Sequence, residues 1–200
     1  MTIDRMRVSG ETADGVTRMT PRLVLRTTSR AAADAVHEFD LATHAHRQPW
    51  ESRHGPSYFS LHACREGQAR WERAYRDGTG AFFLVFLRDE PQRVIATIGL
   101  HDIKRPPMLS TYVGYSLRAE LEGNGYIHEA LGAVLDYAFH ERKLHRVEAF
   151  YAAHNRRSAN VLRRAGFVIE GRARKHLAID GEWHDSILTA KVNDAITAPV

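Results

Sequence analysis

The stretch GYSLRAELEGNGYIHEALGAVLDYAF, residues 114–139, decides the fold: a strand, a short loop, two glycines and then a long helix. Ile127, Leu131, Val134, Leu135, Ala138 and Phe139 recur at helical spacing, so one face of that helix is apolar and must be buried. Ahead of it, Gly123 and Gly125 let the backbone approach a ligand closely. The first-turn N–H groups have no partner inside the helix and point outward with the positive end of its dipole. Such a loop is an anion site into which a pyrophosphate fits. A Gly-x-Gly before a helix is also a common plain turn, so the flanking sequence has to decide.

On the N-terminal side, AFFLVFL (81–87) and VIATIGL (94–100) flank DEPQ and predict a hairpin of two buried strands. Residues 111–117 form a further strand, and RLVLRTT from residue 22 an earlier one. Helices are expected from Ser29, as N-cap, through Phe39 and over residues 63–75, with a Pro/Gly/aromatic surface loop at 46–60 that borders a substrate site. On the C-terminal side, a strand at 146–151 precedes a short helix capped by Ser158 and ended by Gly166. Residues 173–179 and 183–192 flank Asp180-Gly181, a strong two-residue hairpin signal. Residues 1–19 are polar and aperiodic and read as a flexible leader, leaving 20–200 as a single domain.

The composition sets the outer bounds. With 200 residues, 44% hydrophobic and 26% charged, the chain builds one sizeable core. No stretch approaches the roughly 20 apolar residues of a membrane span. One cysteine, Cys64, permits neither an internal disulfide nor a cysteine zinc site, and the N-terminus has no apolar signal core, so a cytoplasmic location is expected. The charge of +4, with 12 histidines, suits an anionic ligand such as a nucleotide cofactor or RNA, although the basic residues are scattered.

The segments IGLHDI (98–103), GYSL (114–117), EGNGYIHEAL (122–131), LHRVEA (144–149), NRRSANVLRRAGF (155–167) and EGRARKHLAIDGEWHD (170–185) settle the glycine loop. In order and spacing the chain resembles the GNAT acyltransferases, in particular the RimJ/RimL-like branch of ribosomal-protein N-terminal acetyltransferases. The resemblance implies an α/β (α+β) fold with a mixed, mostly antiparallel sheet, splayed between its fourth and fifth strands and flanked by helices. It implies acetyl-CoA as co-substrate, no metal, and acetyl transfer to a primary amine by direct attack on the thioester. Carried over by position, the backbone around Leu117 holds the pantetheine amides, and the loop Glu122, Gly123, Asn124, Gly125, Tyr126 and Ile127 holds the pyrophosphate. Asn155 reaches the pantetheine arm, and Ser158 protonates the leaving thiolate.

Two loop positions depart from the family pattern. Glu122 stands where Gln or Arg is usual, and Ile127 where Gly or Ala is. Like charge at the first and crowding at the second both oppose a phosphate, unless Glu122 turns to solvent and Ile127 into the core. On the acceptor side Tyr112 replaces the glutamate that many relatives carry before the Gly-Tyr pair, and Leu177 stands where a carboxylate is expected. Base candidates are His101 and Asp102, with His176 and Asp185, each with a plainer structural role open to it. A terminal α-amine near pKa 7.8 is neutral in roughly one molecule of eight at pH 7, a lysine near 10.4 in about one of 2,500, so a site without a strong base favours α-amines.

The expected activity is therefore transfer of an acetyl, or other small acyl, group from CoA to a primary amine, chiefly an α-amine of a protein N-terminus or small molecule. An RNA-linked substrate and a homodimer are further expected partners. Two alternatives stay open: a transferase using an aminoacyl-tRNA or carrier-protein thioester, and a non-catalytic binding module with a degenerate CoA loop. Arg156, Arg157, Arg163 and Arg164 form a basic patch, either solvated or a contact for the CoA 3′-phosphate or RNA. Cys64 reads as inert.

Overall fold

A computed structural model describes residues 8–12 and 15–198. Among the described residues nine strands form one sheet: β1 (Val8–Thr12), β2 (Gly15–Met19), β3 (Leu23–Thr27), β4 (Ala81–Leu87), β5 (Val94–His101), β6 (Ser110–Leu117), β7 (Arg146–Ala152), β8 (Val168–Ile179) and β9 (Glu182–Val192). The strand order is β1-β2-β3-β4-β5-β6-β7-β9-β8. Every neighbouring pair is antiparallel except β6 and β7. That parallel pair joins Ser110–Tyr112 to Arg146–Glu148 and then opens, while β6 stays paired with β5 out to Leu117. These are the strands expected to splay; two strands that lie ahead of residue 20 make them sixth and seventh in the chain rather than fourth and fifth.

Those two extra strands correct the leader assigned to residues 1–19. Residues 15–19 alternate in burial, with Val16 and Arg18 inside. Arg18 is 2% exposed and ion-paired with Asp136 and Glu141, its guanidinium 5.2 Å from the Tyr137 ring. An inward-facing arginine disguised the period-two pattern. Residues 1–7, 13–14 and 199–200 lie outside the described part of the chain.

Four helices cover the sheet: α1 (Ala33–Arg47), α2 (Leu61–Arg76), α3 (Tyr126–Asp136) and α4 (Arg156–Arg164). Ile127, Ala130, Leu131, Val134 and Leu135 of α3 bury against Leu25, Phe83, Ile98 and Leu100, the apolar face that the helical periodicity required. Each of the Ile, Leu and Val side chains contributes roughly 1.5–3 kcal/mol on burial. On the opposite face Val36 and Phe39 of α1 and Cys64 of α2 pack on Leu84, Phe86 and Val94. Arg118, just past β6, is buried and binds the Val94 carbonyl and the Glu38 carboxylate, which fixes α1 to the sheet.

Helix ends follow local chemistry, with two changes from expectation. Ser29 makes no capping hydrogen bond, and a 3₁₀ turn at Arg30–Ala32 precedes α1. The cap of α4 is Asn155, whose side chain accepts the Ser158 N–H at 3.0 Å, so Ser158 is the third residue of the helix and its hydroxyl is released from capping. Gly166, at φ 86°, ends α4 as expected, with Gly166 N–H to Arg163 O and Phe167 N–H to Leu162 O. Asp180 and Gly181 both take positive φ in the β8–β9 turn.

Candidate active site

Where β6 and β7 part, a crevice of about 970 Å³ opens between the sheet halves. Three regions meet in it: the glycine loop at the start of α3, the Ser158 end of α4, and a wall of Trp71, His101 and Gly114 on the α1/α2 face.

The glycine loop leaves open backbone at the start of α3. Gly123 and Gly125 take φ of 82° and 78°, a region that side chains resist, and a Cβ at Gly123 would meet nothing within 4 Å. Gly125 is the N-cap of α3, and the first intrahelical bond is Glu129 N–H to Gly125 O, so the amides of Tyr126, Ile127 and His128 precede the helical ladder. Ile127 is 6% exposed and joins the core, leaving that backbone surface uncrowded. Arg22 fixes the loop from outside through the Asn124 carbonyl at 2.9 Å and the Glu129 carboxylate at 2.7 Å. Glu129 also accepts from Thr20 Oγ1 and Arg22 N–H. Burial alone would raise its carboxyl, but these donors hold it below the usual range.

Glu122 is exposed at the crevice mouth, but its charge is not unopposed. Its carboxylate takes Arg157 at 2.7 and 2.8 Å and His46 Nε2 at 2.8 Å, and Arg157 lies 5.3 Å from the Trp50 ring. Partial burial works against it, yet Arg157 and His46 keep this carboxyl lower than an ordinary glutamate. A loop residue thereby ties α1 to α4 at the crevice mouth. The 46–60 segment continues along that edge: Ser52 donates to the Ala178 carbonyl and Arg53 pairs with Asp180 at the β8–β9 turn.

Deeper in, Ser158 Oγ lies 2.9 Å from the Tyr115 hydroxyl. Burial pushes the Tyr115 phenol up to about 12, against a smaller opposing effect of the Ser158 hydrogen bond. Asn155 borders the crevice, but its side-chain oxygen is committed to capping α4. Leu117 lines the crevice at the end of β6.

The four base candidates and Tyr112 separate. His101 lines the crevice, its ring edge-on to Trp71 at 4.8 Å and lying over Gly99 and Gly114, which face each other across β5 and β6. The ring keeps a solvent-facing edge, yet partial burial against this wall lowers the imidazole pKa. Tyr112 lies beside the wall rather than in it. A hydrogen bond to Glu148, its neighbour across the parallel pair, is the first cause of its raised phenol pKa. Asp102 sits at φ 52° in the turn after β5 and pairs with Lys104 at 3.5 Å. His176 packs edge-on against Phe150, and Asp185 binds Lys175 N–H and Arg172, holding a bulge in β8. Burial raises the Cys64 thiol to about 11 while its Sγ bonds the Ala33 carbonyl, so it is inert. Tyr115 and His46 join the site without having been singled out in the sequence. Tyr115 stood beside the conspicuous Gly114, but nothing in residue spacing links it to Ser158, 43 positions on.

The family model of the acetyltransferase (GNAT) domain matches residues 22–168. The [ribosomal protein uS5]-alanine N-acetyltransferase of Escherichia coli is 30% identical over 171 residues, 86% of this chain and 88% of that protein. The chain belongs to the GNAT acetyltransferases. Among solved structures, the ribosomal-protein-S5-alanine acetyltransferase of Vibrio fischeri superposes with a TM-score of 0.86 at 30% identity, covering 91% of this chain and 99% of that one. RimJ of Mycobacterium smegmatis, solved with CoA-disulfide, gives 0.80 at 26% identity, over 96% of this chain and 87% of that one. This GNAT enzyme thus carries the family's N-acetyltransferase activity, and its structural neighbours include one that holds the CoA moiety. Among the described residues no helix is long and apolar enough to cross a membrane.

Proposed function

We propose that this GNAT enzyme transfers acetyl from acetyl-CoA to the α-amine of a protein N-terminus, with ribosomal proteins as the acceptor class and the 122–127 loop as pyrophosphate site. The observation that carries the reading is one continuous crevice joining the glycine loop, the Ser158 hydroxyl and the His101 wall. The open edge of β6 supplies a strand-like surface for the pantetheine amides, and backbone N–H groups there stabilise the oxyanion. His101, whose lowered pKa favours the neutral imidazole, takes up the amine proton directly or through water. Ser158 faces the leaving sulfur. The crevice carboxylates Asp40 and Glu51 are both paired with Arg47, which leaves His101 as the base on the Trp71 and Gly114 wall and favours an acceptor already neutral in part near pH 7, as an α-amine is. The glycine loop, with Arg157 beside it, supports CoA as the donor over an aminoacyl-tRNA or carrier-protein thioester.

The test is a pair of peptides incubated with acetyl-CoA and read by mass spectrometry. One begins with alanine and contains an internal lysine; the other is the same peptide with its N-terminus blocked. Acetylation of the free α-amine alone is expected, whereas modification confined to lysine, or none on either peptide, would sink the proposal.

A further inference from the structure

We propose that Tyr115 is a positioning residue that turns the Ser158 hydroxyl toward the leaving sulfur, an inference that rests on the reading of Ser158 given above. The two side chains come from opposite sides of the splay, Tyr115 from β6 and Ser158 from α4, and both line the crevice. Their hydroxyls are 2.9 Å apart, while the Tyr115 hydroxyl is 3.4 Å from the Ser158 carbonyl, so Oγ is the better acceptor for the single phenolic proton. The Ser158 backbone N–H is already bound to Asn155 Oδ1 at 3.0 Å, which fixes the serine on the first turn of α4. A serine hydroxyl has one proton and two lone pairs. When Tyr115 fills one lone pair, the serine keeps its own proton for the crevice. The phenol, pushed up to about 12 by burial, stays protonated and remains a donor across the working pH range.

In the step this arrangement serves, the bond between the acyl carbon and sulfur breaks and the electron pair leaves with sulfur. Ser158 Oγ–H donates to that sulfur as charge develops, and Tyr115 strengthens the donation by withdrawing charge from Oγ. The newly acylated nitrogen carries one proton too many and sheds it to His101 or water; sulfur takes the Ser158 proton and solvent returns one to the serine, so amide and CoA thiol leave with protons balanced. Tyr115 keeps its own proton throughout.

The experiment compares wild type, Tyr115→Phe, Ser158→Ala and the double variant. CoA thiol release is followed in single turnover with an alanine-initiated peptide and, for slow hydrolysis, with water alone. Tyr115→Phe is expected to slow release about tenfold with the KM for acetyl-CoA held within twofold, Ser158→Ala roughly a hundredfold, and the double variant no more than Ser158→Ala. A thioester with a more acidic leaving thiol should shrink the Tyr115→Phe effect, which a merely structural tie across the splay would not do. Multiplying effects in the double variant, a change in KM alone, or an unchanged rate in Tyr115→Phe would each overturn the proposal. A wild-type rate in Ser158→Ala would instead remove the serine's role and the positioning role with it, while peptide acetylation by the wild type would leave the acetyltransferase reading standing.

Discussion

Glu122 shows how one residue can look wrong for its site and yet be accommodated. A carboxylate in a phosphate loop repels the ligand, but here it has drawn Arg157 and His46 to itself, so the local charge is near balance. If the loop holds the pyrophosphate as proposed, that group competes with Glu122 for Arg157. Replacing it by glutamine removes the competitor and keeps the shape, so titration calorimetry of E122Q with CoA should show Kd falling about three- to fivefold, less than bare Coulomb energy gives because the group is half in water. A weaker Kd would mean that the carboxylate orients the cations for the ligand instead. Ile127, at the other end of the loop, takes the course that spares the phosphate surface, turning into the core. Its side chain is in the core, so Ile127→Ala should cost about 2–5 kcal/mol in urea unfolding and leave the affinity for CoA nearly unchanged, in place of the tighter binding that crowding predicted. The departure of both residues from the family pattern was visible in the sequence. The consequence was not, because His46 is 76 positions from Glu122 and only the fold brings them together.

At the scale of elements, the strands and helices with uninterrupted periodicity were legible: the β4–β5 hairpin, α3, the Gly166 stop and the Asp180-Gly181 turn. Strand β2 was not, because Arg18 faces inward and its carboxylate partners lie on and just beyond α3, more than a hundred positions away. A sequence pattern scores such an arginine as surface. The same distance hides the clamp between the start of β3 and α3, where Thr20 and Arg22 hold Glu129. That clamp has a pH signature. The Glu129 carboxyl is depressed in the folded state, so its stabilisation is present above the ordinary glutamate range, near 4.3, and is lost as pH falls through the lower folded value. Chemical denaturation from pH 6 to 3 should therefore find wild type losing more stability than Glu129→Gln below about pH 4.3, the two curves converging in acid. Parallel curves would show that the carboxylate charge contributes nothing to holding the loop.

The molecule as a whole is two sheet halves, β1–β6 and β7–β9, meeting through a short parallel contact at Ser110–Tyr112. Opening that seam leaves the backbone edge of β6 beyond Tyr112 without a strand partner in β7 among the described residues, a cost that only a ligand or water can offset. On the proposed reading, a CoA tail in the seam acts as the missing strand and its phosphates bind the amides at the start of α3. Hydrogen exchange on free and CoA-bound protein tests this architecture directly. Protection should rise at those amides of residues 113–117 that point away from β5, and at 125–128, with little change in β4, which is sandwiched between β3 and β5 in either state. The gain should be graded along β6, small at Tyr112, where β7 already pairs, and larger toward Leu117. Uniform protection of the whole sheet would instead mean that CoA closes the two halves as rigid bodies. Protection at 125–128 without any at 113–117 would mean that the phosphates bind while the pantetheine arm takes a route outside the seam, and the acetyl group would then not reach Ser158.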